Sequence, residues 1–221
     1  MEKPQKERVI LMFSGGRDST LAAVRLDEQG AAITLVTVTS DHLVGIDRVE
    51  TRLRELRSII PPSTKWIHVR QPRLETGPAN FNSRTCLPCH KEYVSIAGAI
   101  LAEHPSRAIA FGYVSYQQQW PEQTPHAIAS LKRVLRKHEI ELLLPVHSLK
   151  TRDEAVSELT RYGLSAAALE QKCLRQVNNI QLDTHQLHDQ VGIWENAIDF
   201  ALSTNQRMTL DVIREIPLSE L

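Results

Sequence analysis

The sequence has few cysteines, few aromatic residues and no long apolar run. Only 3 of its 221 residues are cysteine, and 5% are aromatic. A small, odd number of cysteines argues against the disulfide framework of a secreted mini-protein. No apolar run approaches the roughly 20 residues of a membrane-spanning helix, so no membrane partner is expected. We therefore predict a cytoplasmic protein that is stabilised by an apolar core.

Neither sign of charge predominates. The 26 Lys and Arg residues balance 26 Asp and Glu residues, whereas a dedicated nucleic-acid-binding domain usually carries a basic excess. Contact with RNA would therefore depend on a local basic patch, for which LKRVLRKH at 131–138 is the candidate. A homodimer could build a larger basic surface from two copies.

Segments typical of strands and helices alternate along the chain. Short apolar runs bounded by turn residues predict strands at 8–13, 31–39, 65–70, 107–114 and 140–146. Apolar residues at helical spacing predict helices between them and a last helix at about 180–204. This alternation predicts an α/β, Rossmann-like fold with a mostly parallel five-stranded sheet and helices on both faces. We assign residues 1–175 to this domain and 176–221 to a C-terminal helical extension.

The stretch FSGGRDST at 13–20 joins the first predicted strand to the first predicted helix. In a parallel sheet, ligands bind at this kind of junction. The start of a helix offers unpaired backbone N–H groups and a partial positive charge, which suit a phosphate group. Asp18 would repel that phosphate unless Mg²⁺ lay between them. The simpler alternative is a tight turn in which Asp18 or Ser19 caps the helix.

The motif SGGRDS resembles the SGGxDS signature of the PP-loop ATP pyrophosphatases, also called adenine nucleotide alpha hydrolases. The order of strands and helices matches that family over roughly residues 8–175, which implies its HUP-type fold. The resemblance further implies that ATP is cleaved to AMP and pyrophosphate while a substrate oxygen is adenylated. It implies a nucleotide site, with Mg²⁺ on Asp18, that is formed by Ser14, Gly15, Gly16, Arg17, Asp18, Ser19, Thr37, Val38, Thr39 and Gly112.

Three cysteines distinguish between branches of this family. Cys86 and Cys89 form a C-x-x-C pair that His90 follows, and Cys173 lies much further along the chain. Three thiolates suit iron–sulfur ligation when another group completes the fourth position. Their order resembles that of PP-loop tRNA sulfurtransferases of the 2-thiocytidine type, which implies a [4Fe-4S] cluster on these three residues.

Other interpretations of the cysteines stay open. A cysteine pair could carry a persulfide and then close as a disulfide, as in cluster-free thiouridine enzymes. The three cysteines could instead hold structural Zn²⁺, with His90 as a fourth ligand. The thiols could also simply pack, as buried cysteines often do. The candidate catalytic residues are Asp18, Lys150, Cys86 and Cys173.

Two further segments bear on the branch. Residues 112–131, with the run QQQW, and residues 145–163, where Lys150 precedes an acidic helix, resemble parts of 4-thiouridine sulfurtransferases. Gln117 and Trp120 could line a pocket for a base, and Lys150 could contact phosphate. The match also touches 7-cyano-7-deazaguanine synthase, although that enzyme's cluster of zinc-binding cysteines has no counterpart here.

These resemblances imply an ATP-dependent adenylating enzyme that activates a nucleobase carbonyl for sulfur transfer. A tRNA or a sulfur-donor protein would be its partner. One alternative is a C–N ligase that activates a small-molecule carboxylate, and another is a non-catalytic nucleotide-binding subunit. His185 and His188 lie at helical spacing, and we interpret them as solvent-facing side chains rather than metal ligands.

Overall fold

The structure, a computed structural model, describes residues 7–71, 81–82, 84–103, 106–175, 180–204 and 209–221. Its strands are β1 (Arg8–Met12), β2 (Ala32–Thr39), β3 (Leu43–Val44), β4 (Lys65–Arg70), β5 (Ala108–Phe111), β6 (Glu141–Leu143), β7 (Lys172–Cys173) and β8 (Asp211–Pro217). Its α-helices are α1 (Arg17–Glu28), α2 (Ile46–Leu56), α3 (Leu87–Glu103), α4 (Pro125–Lys137), α5 (Arg152–Arg161) and α6 (Thr184–Thr204).

The central sheet has the strand order β6-β5-β1-β2-β4-β8. Strands β6, β5, β1, β2 and β4 are parallel, as predicted, and the α/β fold is confirmed. The chain builds outward from β1 through β2 to β4, then returns to β5 on the other side. The chain therefore leaves the carboxyl ends of the adjacent strands β1 and β5 toward opposite faces of the sheet, and open α/β sheets bind ligands in the crevice at such a point.

The prediction of five strands was one strand short. The C-terminal segment, predicted to be only helical, also contains β8, which pairs antiparallel with β4. Residues 211–215 of this edge strand are exposed, so the segment lacks the alternation of buried and exposed positions by which a strand is recognised. The same segment contributes both α6 and β8 to the main sheet and its helix layer.

Two apolar clusters cover the two faces of the sheet. In β1, Val9 and Leu11 belong to one cluster while Ile10 and Met12 belong to the other, as the two-residue period of a strand requires. Helices α1, α2 and α5 close the first face, and α3, α4 and α6 close the second. Burial of one such aliphatic side chain stabilises the fold by roughly 2 kcal/mol. Among the described residues, no helix has both the length and the apolar character needed to cross a membrane.

A second, two-stranded sheet was not predicted. Strands β3 and β7 pair antiparallel, with Leu43 opposite Cys173. The Leu174 backbone N–H also donates to the His42 carbonyl at 2.8 Å. This pairing fixes the distant third cysteine beside the segment that follows β2.

Candidate functional site

A cavity of about 530 Å³ opens at the carboxyl ends of β1, β2 and β5. One wall is the loop that precedes α1, together with the first turn of that helix. The start of α3 and the segment that follows β5 also line the cavity. The cavity therefore occupies the crevice that the strand order creates.

The loop before α1 is held by its own hydroxyl groups. Gly16 N–H donates to Ser14 Oγ at 3.2 Å, and Ser14 Oγ lies 3.1 Å from Ser19 Oγ. Gly15 has a φ of 80°, and a Cβ there would lie 3.0 Å from the Leu169 carbonyl oxygen. The turn therefore requires glycine at this position, because other residues rarely adopt such a conformation.

Gly112 brings the end of β5 against the first turn of α1. A Cβ at this position would lie 2.6 Å from the Ser19 backbone nitrogen and 2.8 Å from the Asp18 carbonyl carbon. Real Cβ atoms do not approach backbone so closely. Gly112 therefore allows two elements of the cavity wall to pack in direct contact.

Asp18 is held by two donors at the cavity surface. The Tyr116 hydroxyl donates to Asp18 Oδ1 at 2.5 Å, and Gln117 Nε2 donates to Oδ2 at 3.4 Å. Burial raises the pKa of Asp18, and the Tyr116 hydrogen bond acts in the opposite direction. Glu170 also lines the cavity and raises the pKa of Asp18 by its charge. These carboxylates suit Mg²⁺, which binds one or two carboxylates together with phosphate oxygens.

Three arginines fasten the segment 165–170 beside this loop. Arg52 is fully buried and donates to two backbone carbonyls of the segment, at 2.7 and 2.9 Å. Arg17 donates to a third at 2.7 Å, and Arg48 donates to the carbonyl of Glu170 at 3.0 Å. The segment is thus fixed where Glu170 can line the cavity.

Lys150, the basic residue predicted to contact phosphate, does not line the cavity. Lys150 is exposed and is not among the residues that line the cavity, whereas Arg152 is. The Lys150 backbone N–H instead donates to the Glu154 carboxylate at 2.7 Å, and Thr151 caps the same helix. This capping box starts α5. Arg152, in the first turn of α5, therefore replaces Lys150 as the candidate.

The end of β2 lines the cavity through its valines. Val36 and Val38 contribute to the wall. The Thr37 hydroxyl is instead engaged in two buried hydrogen bonds within the sheet. Thr39 donates to Gln171 Oε1 at 2.9 Å and so holds the segment that precedes β7.

The three cysteines lie near the cavity and the β3–β7 pair. Cys86 lines the cavity, and Cys89 Sγ lies 3.7 Å from His42 Nε2. Burial raises the pKa of Tyr93, and negative charge on Cys89, Cys86 or Cys173 acts in the same direction. Burial raises the pKa of Cys89 itself to about 11, so this thiol is protonated at neutral pH.

The cysteines are not arranged as the predicted metal site. Across the described ranges, no three His, Cys, Asp or Glu side chains are grouped so as to hold a metal ion. His90, the fourth ligand of the zinc alternative, instead lies with Nδ1 2.6 Å from the Tyr113 hydroxyl. The residues as placed fit neither a [4Fe-4S] cluster nor structural Zn²⁺. All three cysteines are thiols rather than disulfides.

The predicted basic patch on α4 is partly neutralised by α6. Arg133 Nε donates to Glu195 at 2.8 Å, and Lys137 pairs with Asp199 at 3.1 Å. Such pairs reduce the positive field that would attract RNA. On α6 itself, His188 stacks against the ring of a histidine in α4 with centroids 4.0 Å apart.

Comparison with known proteins gives likeness only at the level of structure. No family model and no curated protein matches the chain. A 4-thiouridine synthetase, solved with RNA and bound ATP, is similar with a TM-score of 0.64 and 19% identity over 94% of this chain. The chain spans 55% of the length of that synthetase.

Two further solved structures share the fold. The U34-tRNA thiolase NcsA from Methanococcus maripaludis, solved with its [4Fe-4S] cluster, is similar with a TM-score of 0.53 and 15% identity, over 92% of this chain and 73% of its own. The NMN synthetase from Francisella tularensis is similar with a TM-score of 0.53 and 14% identity, over 90% of this chain and 87% of its own. These likenesses confirm the fold that the SGGRDS resemblance implies.

Proposed function

We propose that the chain is a PP-loop ATP pyrophosphatase that binds Mg·ATP in this cavity and transfers AMP to an oxygen atom of a second substrate. The observation that carries this proposal is the SGGRDS loop at the carboxyl end of β1, packed against Gly112 at the end of β5. The chain leaves β1 and β5 toward opposite faces of the sheet at this point, and α/β sheets bind nucleotides at such a location.

Different groups in the cavity would bind different parts of Mg·ATP. Backbone N–H groups at the start of α1 suit the pyrophosphate oxygens. Arg17 and Arg152, both in the cavity wall, would offset the negative charge. Asp18 and Glu170 would hold Mg²⁺, which when bound neutralises charge that develops on phosphate oxygens. Fixed donors and cations of this kind account for most of the catalysis of phosphoryl and nucleotidyl transfer.

The first step forms a bond between the substrate oxygen and the α-phosphorus of ATP. The bond from the α-phosphorus to the bridging oxygen breaks, and pyrophosphate carries that electron pair away. The substrate oxygen, a poor leaving group on its own, then departs as part of AMP. Adenylation therefore prepares the adjacent carbon for attack by a nucleophile.

We further propose that the nucleophile is sulfur and that the activated group is a nucleobase carbonyl. Cys86 shares the cavity with Asp18, and Cys89 and Cys173 both lie beside the segment His42–Leu43, which supports this finer proposal. A tRNA would supply the base, as a partner of the kind that the sequence resemblance implies. We favour sulfur transfer through cysteine thiols over transfer through an iron–sulfur cluster, because the described cysteines are not grouped to hold a metal.

The sulfur step balances when a persulfide donor and a thiol reductant take part. The terminal sulfur of a cysteine persulfide attacks the adenylated carbon, and AMP leaves. A second cysteine thiolate then attacks the sulfur of the first cysteine, which releases the thiocarbonyl product and leaves a disulfide. The thiol reductant restores both cysteines. His42, beside Cys89, is placed to accept the proton of that thiol.

The test is to assay AMP and pyrophosphate release with unmodified tRNA plus a persulfide donor, and separately with carboxylates plus ammonia. We expect tRNA-dependent release and a thiolated base. Asp18→Asn should lose both signals, whereas Cys86→Ser should retain pyrophosphate release and lose thiolation.

Other outcomes would identify the alternatives. Carboxylate-dependent release that survives all three cysteine substitutions would indicate a C–N ligase. Nucleotide binding without release of pyrophosphate under any condition would indicate a non-catalytic subunit. Anaerobically purified protein could instead contain iron and acid-labile sulfide that are lost in Cys86→Ser. That result would support the [4Fe-4S] interpretation.

A further inference from the structure

Glu122 is a buried carboxyl group that faces the cavity without an ion-pair partner of opposite charge. The residue is 1% exposed but contributes to the cavity wall. Its Oε2 atom is buried and has no hydrogen-bond partner. The nearest side chain that could carry a positive charge is His90, whose Nε2 lies 4.0 Å from Glu122 Oε1, beyond hydrogen-bonding distance.

His90 does not supply the missing charge. Its Nδ1 is paired with the Tyr113 hydroxyl at 2.6 Å. Burial lowers the pKa of His90 to about 4, so the imidazole is neutral at physiological pH. Burial raises the pKa of Glu122 to about 7, as expected of a carboxyl group without a counterion. Buried polar atoms in folded proteins are usually hydrogen-bonded, so a buried carboxyl oxygen without a protein partner, in a residue that lines a cavity, is a candidate acceptor for a ligand donor.

The surroundings of Glu122 are flat and aromatic. The rings of Phe111 and Tyr113 stack with centroids 4.9 Å apart, and both line the cavity. Tyr93 and Trp120 also contribute to the wall. Aromatic rings together with polar side chains such as Glu122, His90 and Gln123 suit a planar heterocycle that stacks and forms directed hydrogen bonds.

We propose that Glu122 determines acceptor specificity by accepting a hydrogen bond from an N–H group on the edge of a planar nucleobase. The inference rests on the proposed function, because the base would be the group that is adenylated. Glu122 lines the same cavity as Ser14 and Asp18 of the SGGRDS loop. A base held by Glu122 would therefore share this cavity with the proposed ATP.

The test uses calorimetry on the full chain with Mg²⁺ and α,β-methylene-ATP, and again without nucleotide. The probes are uridine, cytidine and guanosine, each compared with a counterpart whose N–H groups on the pairing edge are methylated. The variants are Glu122→Gln and, as a matched control at an exposed position of β6, Glu141→Gln. Circular dichroism checks that each variant is folded, and the methylated probes test the proposal on the wild-type protein alone.

At pH 8, where Glu122 is mostly ionised, we expect at least one nucleoside to bind and to lose about tenfold in affinity when methylated, since a hydrogen bond to a charged acceptor is worth this much. Glu122→Gln should weaken the parent nucleoside similarly and leave the methylated one unchanged, and Glu141→Gln should alter neither. Absence of binding by all three nucleosides, or equal affinities for wild type and Glu122→Gln, would overturn the proposal.

The titrations with α,β-methylene-ATP distinguish contact of Glu122 with the adenine of ATP from contact with the acceptor nucleobase. Loss of α,β-methylene-ATP affinity in Glu122→Gln, with unchanged nucleoside affinity, would mean that the carboxyl group contacts adenine and would also overturn the proposal. Failure of the wild-type protein to bind α,β-methylene-ATP would refute the proposed function instead. The titrations without nucleotide would still report on Glu122 in that case.

Discussion

Tyr116 donates a hydrogen bond to Asp18, with 2.5 Å between the hydroxyl oxygen and Asp18 Oδ1. The two residues lie far apart in the sequence, one at the start of α1 and the other after β5. Burial alone would make Asp18 easier to protonate, and the hydroxyl stabilises its charged form. The contact therefore favours an ionised carboxylate where the proposed Mg²⁺ would bind.

Replacement of Tyr116 by Phe should raise the pKa of Asp18 further. Magnesium-dependent binding of α,β-methylene-ATP requires the ionised carboxylate, so its acidic limit should move upward by about one pH unit. Calorimetry between pH 5 and 8 measures this shift. Tyr162→Phe removes a hydroxyl that bonds to Glu28 on the surface, and the pH profile of that variant should match wild type.

Gly112→Ala should destabilise the fold and weaken nucleotide binding. The new methyl group would meet the backbone of Asp18 and Ser19, which cannot move without distorting α1. Overpacking of this kind costs about 1–3 kcal/mol, measurable by urea denaturation. A Cβ at Gly192 in α6 would have no atom within 4 Å, so Gly192→Ala should raise the free energy of unfolding by about 0.5–1 kcal/mol. Equal stabilities for the two variants would contradict the close packing at Gly112.

Arg52→Leu should release the segment 165–170. The substitution removes the donors to two backbone carbonyls and should cost on the order of 3 kcal/mol. Faster amide hydrogen exchange after Ser165 is the specific readout. Arg54→Leu replaces a half-exposed arginine on the same helix and should change stability by less than about 0.5 kcal/mol. Unchanged exchange in Arg52→Leu would show that the segment is held by other contacts.

Glu122→Gln should become more stable than wild type as the pH rises. The pKa of Glu122 is raised to about 7 in the folded protein from an ordinary value of 4.5. The folded state therefore binds the extra proton between these values, and the wild type loses stability on the order of 3 kcal/mol as pH passes from 4.5 to 7. Gln does not titrate, so the difference in unfolding free energy between the two proteins should grow over this window.

The difference between the two proteins isolates Glu122 from its titratable neighbours. His90, Tyr113, Tyr93 and Cys86 remain in both proteins, and the lowered pKa of His90 has the opposite effect on stability over part of the same range. Urea denaturation at pH 5, 6, 7 and 8 supplies the comparison. A constant difference across these values would mean that Glu122 is ionised in the folded state throughout.

The parallel sheet and the position of the SGGRDS loop were predictable because their signals are local. Apolar runs such as that of β1 predict buried strands, and SGGRDS is contiguous and follows β1 directly. The prediction of Gly112 as a site residue came from the family resemblance and not from a local signal. The physical reason for a glycine there, contact with the backbone of Ser19, depends on how two distant elements meet.

The rest of the cavity depends on contacts that no single segment encodes. Glu170 enters the site because arginines on α1 and α2 bind the backbone before it, and arginines on amphipathic helices are ordinarily exposed. Lys150 and Arg152 differ by two positions, and only the location of the α5 cap decides which one lines the cavity. The grouping of the cysteines could not be predicted for a similar reason, since spacing along the chain does not fix the distances between thiols.

Residues 165–173 carry a consequence for how the site forms during synthesis. A nascent chain that has left the ribosome only through β6 contains the glycine loop, but it lacks Glu170 and Cys173. The pocket is completed only after a later stretch folds back and β7 docks on β3. The two carboxylates of the proposed Mg²⁺ site, Asp18 and Glu170, are therefore brought together only in a chain that extends past residue 170.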